Sequence, residues 1–449
     1  MNWKTKERMT RKNNIALMFF MTIVMYGSAF AENAANSPSP QKQYALSDLY
    51  AIALKNAERI KIYEKEVTLA ELDKKRAIAT LYPDCSIFGQ TTRYKDPTLM
   101  QPDVTSWGGK VNYSFTLNGR ELTAYAISRD NIEKTKDDLN AVKEEYLFQV
   151  ASAYYGVSRA ENQVKLANSY IERLEKHKQA VLSKLKLEEE VKTSLYRAEA
   201  ELSKSKTGLV QAENQLKLAR ALLADLTGLP KGYEIVSPVL DNSPFFSGNV
   251  DSLKQEALAN RSDLKAKALE MKAAERQIEW EKGRYWPSVS LEGVYSNNET
   301  DPEFSFPGFA EEEDSIYSLT ASLSFLIFDG GMRRADIRKA TTRKEQASLA
   351  TEALTKKISL EVEEAYLDVT GFISMMESLK DQLKFANEQY LAVDKAFQYG
   401  VADSIDVMDA NTLLIESERQ LADVQFQYKL SELKLKRAEG LLLKTEIKD

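Results

Sequence analysis

Histidine and cysteine each occur once in the 449-residue sequence, as His177 and Cys85. A serine triad, a histidine-bearing metal site and a general base poised near neutrality all need imidazole, so one histidine leaves the common hydrolytic and metal-dependent chemistries almost no material. No nucleophile–base pair is visible, no cofactor or metal is implied, and the residues predict a protein that is not an enzyme. The lone Cys85 can form no intrachain disulfide and reads as a small buried residue. The polar groups whose spacing does stand out are the acids of "DVMDA": Asp406 and Asp409 sit one turn apart on one helical face, beside Val407 and Ala410. Asp403 is placed to cap that helix, and Asp406 to favour its positive N-terminal end. An acidic pair left open to solvent is the other reading. Glu188, Glu189 and Glu190 mark an earlier break, where a solvated charge run is the plain reading.

What positions these residues is a chain written twice. "YPDCSIFG" at 82–89 and "WPSVSLEG" at 286–293 share the pattern aromatic-Pro-x-x-Ser-aliphatic-x-Gly. After each comes a turn-rich stretch and a second alternating strand, "WGGKVNYSFTLNGR" in the first copy and "YSLTASLSFLIFDGG" in the second. Because side chains alternate sides along a strand, Tyr113 and Phe115 share an apolar face with Trp107, Val111 and Leu117. Leu323 and Phe325 likewise share one with Tyr317, Leu319, Ala321 and Ile327, and the serines and threonines take the other side. Strands are expected at about 83–95, 106–118, 287–297 and 315–328.

Long helical segments follow both strand pairs. Ile358, Val362, Ala365, Val369, Phe372 and Met376 recur four and three residues apart, and a shift of 212 lays them on Tyr146, Val150, Ala153, Val157, Ala160 and Val164. Such a heptad seam signals helices that supercoil around neighbours. The pattern resumes from Val407 to Ala438 after "YGVADS", and the first copy mirrors it from Leu195 to Leu226. Helices are therefore expected at about 120–186, 193–227, 331–399 and 404–444, with shorter amphipathic ones near 44–81 and 250–285. This gives a first repeat at 32–227, a Pro-, Gly- and Ser-rich crossover at 228–250 and a second repeat at 251–449.

Ahead of the repeats, Lys4, Lys6, Arg8, Arg11 and Lys12 precede an apolar run from Ile15 to Met25 and then Ala29-Phe30-Ala31, the pattern of a secretory signal at 1–31. Its removal takes five basic residues and Glu7, moving the formal net charge from −6 to −10, which argues against nucleic acid as a partner. Four strands with one apolar face each cannot close a membrane barrel, which needs about eight or more. Either several chains share a barrel whose apolar face meets lipid, or the sheet lies on a soluble core. The long polar turns at 95–105 and 297–314, acidic at 311–314, favour the barrel.

The order of elements, the twofold repeat and the motifs "YWPSVSLEG", "SFLIFDGGMRRA" and "YGVADSIDVMDA" resemble the TolC family of outer-membrane efflux proteins, from about residue 43 to 445. The resemblance implies a mixed fold, a membrane β-barrel of 12 strands in a homotrimer continued by a long α-helical coiled-coil barrel in the periplasm. It implies an exit duct for small molecules, with a periplasmic adaptor and an inner-membrane pump as partners. A duct for polypeptide in a type I secretion system is the alternative, and a periplasmic structural or adaptor coiled coil a further one. Asp406 and Asp409 match positions of the family's periplasmic gate, with Lys192 and Arg197 of the other hairpin near enough to tie neighbouring helices. Gly400 and Val401 match the part of the tip implied to meet the adaptor. The shift of 212 sets Asp406 against Ser194 and Asp409 against Arg197, and Ala402 stands where the family often carries arginine.

Overall fold

A computed structural model describes residues 43–95, 103–230, 232–238, 249–300 and 314–446. The expected signal at 1–31, the middle of the crossover and the acidic stretch 311–313 lie outside the described residues. A small unit contains Gln43–Tyr44 and Gly232–Glu234, in which Gln43 Nε2 donates to the Glu234 carboxylate at 3.2 Å. Strands β1 (Gln43–Tyr44) and β4 (Glu234–Ile235) are only two residues each.

The large unit repeats one order of elements. Helices α1 (Leu46–Asn56) and α2 (Glu58–Ala79) precede β2 (Asp84–Thr92), β3 (Val104–Thr116), α3 (Arg120–Lys186) and α4 (Lys192–Thr227). The second round runs α5 (Val250–Asn260), α6 (Ser262–Lys282), β5 (Ser288–Thr300), β6 (Asp314–Ser324), α7 (Met332–Gln398) and α8 (Ser404–Ala438), with a short α9 (Leu442–Glu446). Both α3 and α7 have 67 residues, on the order of 100 Å at about 1.5 Å per residue. Each starts after a glycine in the left-handed region, Gly119 (φ 71°) and Gly331 (φ 90°), where strand turns into helix. Tyr82 and Trp286 are 204 apart whereas these glycines are 212 apart, so the second copy carries eight more residues between its aromatic-Pro motif and its helix-opening glycine.

The last helix stops at Ala438 instead of continuing to 444. Gly440 breaks it with φ 70°, and a Cβ there would meet the Arg261 backbone at 3.0 Å. Strand β6 also ends early, at Ser324, so Phe325 lies just past the ladder and is no strand residue. Ser324 pairs with Ser288, the first residue of β5, and just before it Pro287 turns its carbonyl to the other edge, accepting from Leu117 N at 3.1 Å.

The sheet is antiparallel in the order β2-β3-β5-β6. Its register aligns Tyr113 with Leu291 and Ala321, and Phe115 with Val289 and Leu323, so these apolar residues share one face, which Ile87 joins from β2 opposite Gly109. Cys85, opposite Val111, belongs to that face on the edge strand and is exposed, because nothing among the described residues packs over it; the buried position expected for it is corrected.

Below the sheet, the heptad residues form the core. Ile358, Val362, Ala365 and Val369 of α7 pack with Leu253 and Ala257 of α5 and with Tyr428 and Leu435 of α8. Each fully buried aliphatic contributes about 1.5–3 kcal/mol. Lys178, which stands 212 residues before Tyr390 where the seam would place an apolar residue, makes an ion pair to Glu199 at 2.9 Å across the α3–α4 hairpin. Ties also run between the repeats: Arg159 of α3 grips Asp423 of α8 through two hydrogen bonds of 2.7 and 2.9 Å. The two repeats therefore pack as one body of helices.

Candidate functional site

Both helix hairpins turn in the same way at positions 212 apart. At the end of α7, Gly400 takes φ 75°, Gly400 N donates to Phe397 O at 3.1 Å and Val401 N to Ala396 O at 2.8 Å. At the end of α3, Glu188 takes φ 63°, donating to Leu185 O at 3.2 Å while Glu189 N donates to Lys184 O at 3.0 Å. A left-handed residue after a helix is the usual way to satisfy its last carbonyls, and glycine fills it without a Cβ clash. Glu188 fills it with strain. Glu188→Gly should raise stability by about 0.5–1 kcal/mol in equilibrium unfolding, whereas Gly400→Ala should lose about 1 kcal/mol. Loss of stability in Glu188→Gly would contradict the turn assignment.

Helix α8 starts with a complete capping box. The Asp403 carboxylate accepts from Ile405 N at 2.8 Å and Asp406 N at 2.9 Å, while the Asp406 carboxylate accepts from Asp403 N at 3.1 Å. Asp406 thus holds its own helix terminus while remaining exposed, and Asp409, one turn on, is exposed with no partner among the described residues. Lys192 opens α4 behind Val191, which has no side-chain oxygen to cap it. Lys192 and Arg197 are exposed, and no ion pair joins either to Asp406 or Asp409 among the described residues. The structure does not bring the four expected gate residues together within one chain.

What joins the two tips lies deeper: seam residues meet there, together with two polar side chains, His177 and Arg173, that carried no spacing signal. Val181, Phe397 and Val407 form a buried core, with Leu195 of α4 and Val393 of α7 against it. His177 of α3 is 5% exposed; its Nε2 is 2.8 Å from Ser404 Oγ at the start of α8, and its ring lies 5.2 Å from that of Phe397. Arg173, one turn before, donates to Asn411 at 2.8 Å and to Glu418 at 2.9 and 3.3 Å. Beyond this core, Tyr399 and Val401 project into solvent.

At the other end, the apolar sheet face is bare. Ile87, Tyr317, Leu319 and Leu323 are exposed, Tyr113 and Phe115 half-buried. Tyr295 stacks between Trp107 at 6.2 Å and Tyr317 at 4.8 Å near the strands' outer end. The opposite face is polar: Lys110 pairs with Glu292 at 2.7 Å, and Asn112 donates to Asp84 at 3.2 Å. Strands β2 and β6 each leave one edge unpaired among the described residues. Among the described residues no helix is long and apolar enough to cross a membrane, and no cluster of acidic, histidine or cysteine side chains is arranged to hold a metal.

The sequence profile of the outer membrane efflux protein family matches residues 49–229 and 253–441. The chain belongs to that family. Relatives include outer membrane protein TolC of Vibrio cholerae, 22% identical over 80% of this chain and 82% of that protein. Cation efflux system protein CusC of Escherichia coli K12 is 23% identical over 74% of this chain and 72% of its own length. A crystal structure of CusC superposes with a TM-score of 0.79 at 19% identity, covering 88% of this chain and 92% of that one. The family is one of outer-membrane channels, so this efflux protein resides in the outer membrane with its helical mass in the periplasm. The two matched segments stop on either side of the crossover.

Proposed function

We propose that three copies of this chain close one barrel and one helical tunnel, forming the exit duct through which small molecules leave the periplasm. The observation that carries this reading is the sheet, four strands with two unpaired edges and one coherent, exposed apolar face. Backbone edges cannot be left open in lipid, so neighbouring copies must pair β2 with β6, giving 12 strands from three chains. Exposed Val210 and Leu218 on α4, and Leu360, Leu367 and Phe385 on α7, are then covered by the same neighbours. In this reading the chain is exported by residues 1–31, matures at Glu32, and turns its hairpin tips inward. There Gly400 and Val401 meet a periplasmic adaptor working with an inner-membrane pump, and the pump sets the cargo. Detergent-extracted protein should run as a heat-dissociated trimer and pass ion currents in planar bilayers; a monomer without conductance overturns the proposal.

Threefold symmetry would gather Asp406 and Asp409 around the inner mouth, with Lys192 and Arg197 reaching from adjacent hairpins. Asp406→Asn with Asp409→Asn should raise conductance and weaken cation preference, more at low salt than at high. Because Asp406 is already held in its cap, Asp409→Asn alone should carry most of the selectivity change without loss of stability. A double variant with the parent's conductance and selectivity at low salt would leave Asp406 as a cap only and Asp409 without a part in the gate.

A further inference from the structure

We propose that His177 is a positioning residue of the tip: its neutral imidazole locks the first repeat's α3 to the start of the second repeat's α8, and acid releases the lock. The ring bridges elements far apart in sequence, with Nε2 on Ser404 Oγ at 2.8 Å and one face against Phe397, itself 1% exposed. Its Nδ1 is buried and has no hydrogen-bond partner. A neutral imidazole can leave that nitrogen as a bare acceptor at modest cost. The imidazolium must donate from both nitrogens, and here the Nδ1 proton would be buried without an acceptor.

The charged groups felt at the ring are Asp394 from α7 and Glu190 from the α3–α4 turn, and neither hydrogen-bonds it. From α8 the ring meets the Ser404 hydroxyl, and α4 adds Leu195 to the core it abuts. On α3 itself, Lys184 lies 4.9 Å from the far partner, the Phe397 ring, and so adds positive charge to the same core. Burial pushes the imidazole's pKa below its usual value, with Asp394, Glu190 and the Ser404 contact pulling the other way. A depressed histidine pKa means that packing is fully supported above the ordinary value and weakens as pH falls below it. On protonation the two carboxylates draw the ring outward, towards solvent, and the α3–α8 contact opens.

This inference rests on the reading of the tip as the duct's inner gate, and two readouts separate them. Hydrogen exchange of the full chain, corrected for intrinsic rates, should show protection around residues 177–186 and 397–408 falling about tenfold between about pH 7.5 and 5.5. His177→Phe, which keeps the ring packing without the charge, and His177→Gln, which keeps a donor for Ser404, should both lose that pH step. Equal protection at both pH values in the parent, or an undiminished step in the Gln variant, overturns the lock. Conductance of reconstituted protein should rise over the same interval in the parent alone. A tip that loses protection while conductance stays constant supports the lock and removes the gate from this place.

Discussion

Leu319→Lys is expected to cost about 2–4 kcal/mol and to remove most assembled protein from the outer-membrane fraction, whereas Ser318→Lys leaves assembly near normal. The two residues are neighbours in the middle of β6, so depth and net charge change alike. They differ in face. Leu319 aligns with Gly293 and Val111 on the apolar side; Ser318 aligns with Val294 and Lys110 on the side that holds the Lys110–Glu292 pair. Against lipid a lysine must bury or distort the bilayer, while on the opposite face it reaches water. Heat-resistant oligomer on gels and recovery in outer membranes measure the difference. Similar losses in both variants would sink the face assignment and the barrel with it.

The period-two alternation that assigns those faces was legible in the sequence, as was the heptad seam that places Val362 and Val369 in the core. Both are local patterns repeated over many residues, and the duplication shows each of them twice. Where the ladder stops was not legible. Residues "FLIF" continue the alternation beyond Ser324, and only the pairing of Ser324 with Ser288 shows that the partner strand begins there. Cys85 was misread for a related reason: one sequence does not say that an edge strand's apolar face stays uncovered within its own chain. At the tips, Asp403 and Asp406 were readable as caps because capping acts over three residues. His177 was not, since its partner Ser404 is 227 positions away and a solitary histidine on a helix has no spacing to betray it. Glu188 became recognisable as strained only through its structural equivalence to Gly400.

Glu144→Gln is expected to stabilise the protein above about pH 7, by about 2–3 kcal/mol, and to change little below about pH 4.5. Glu144 of α3 is 8% exposed and lines a polar cavity of about 220 Å³ with Glu145, Asp263 and Glu361 facing Arg261, Lys357 and Arg437. All three cations already have partners: Arg261 grips Asp263 at 2.6 Å and Glu361 at 2.5 Å, Lys357 lies 3.7 Å from Glu361, and Arg437 pairs with Glu145 at 3.0 Å. Burial therefore dominates and pushes the Glu144 carboxyl up to about 7, with Asp263 adding to the rise and Arg261, Lys444 and Arg437 opposing it. The folded chain holds this proton more tightly than the unfolded one, so the stabilising contribution is complete below the unfolded value and is lost as pH rises towards 7. Above that, a desolvated carboxylate is the penalty, and glutamine, which cannot ionise, removes it. Burial raises Glu439 at the end of α8 to about 7 as well, with Glu256 adding to it, so Glu439→Gln should flatten the same slope. Thermal midpoints from about pH 4.5 to 8 give the comparison. A Glu144→Gln curve parallel to the parent's across that range would mean that the cavity's arginines compensate the charge in full.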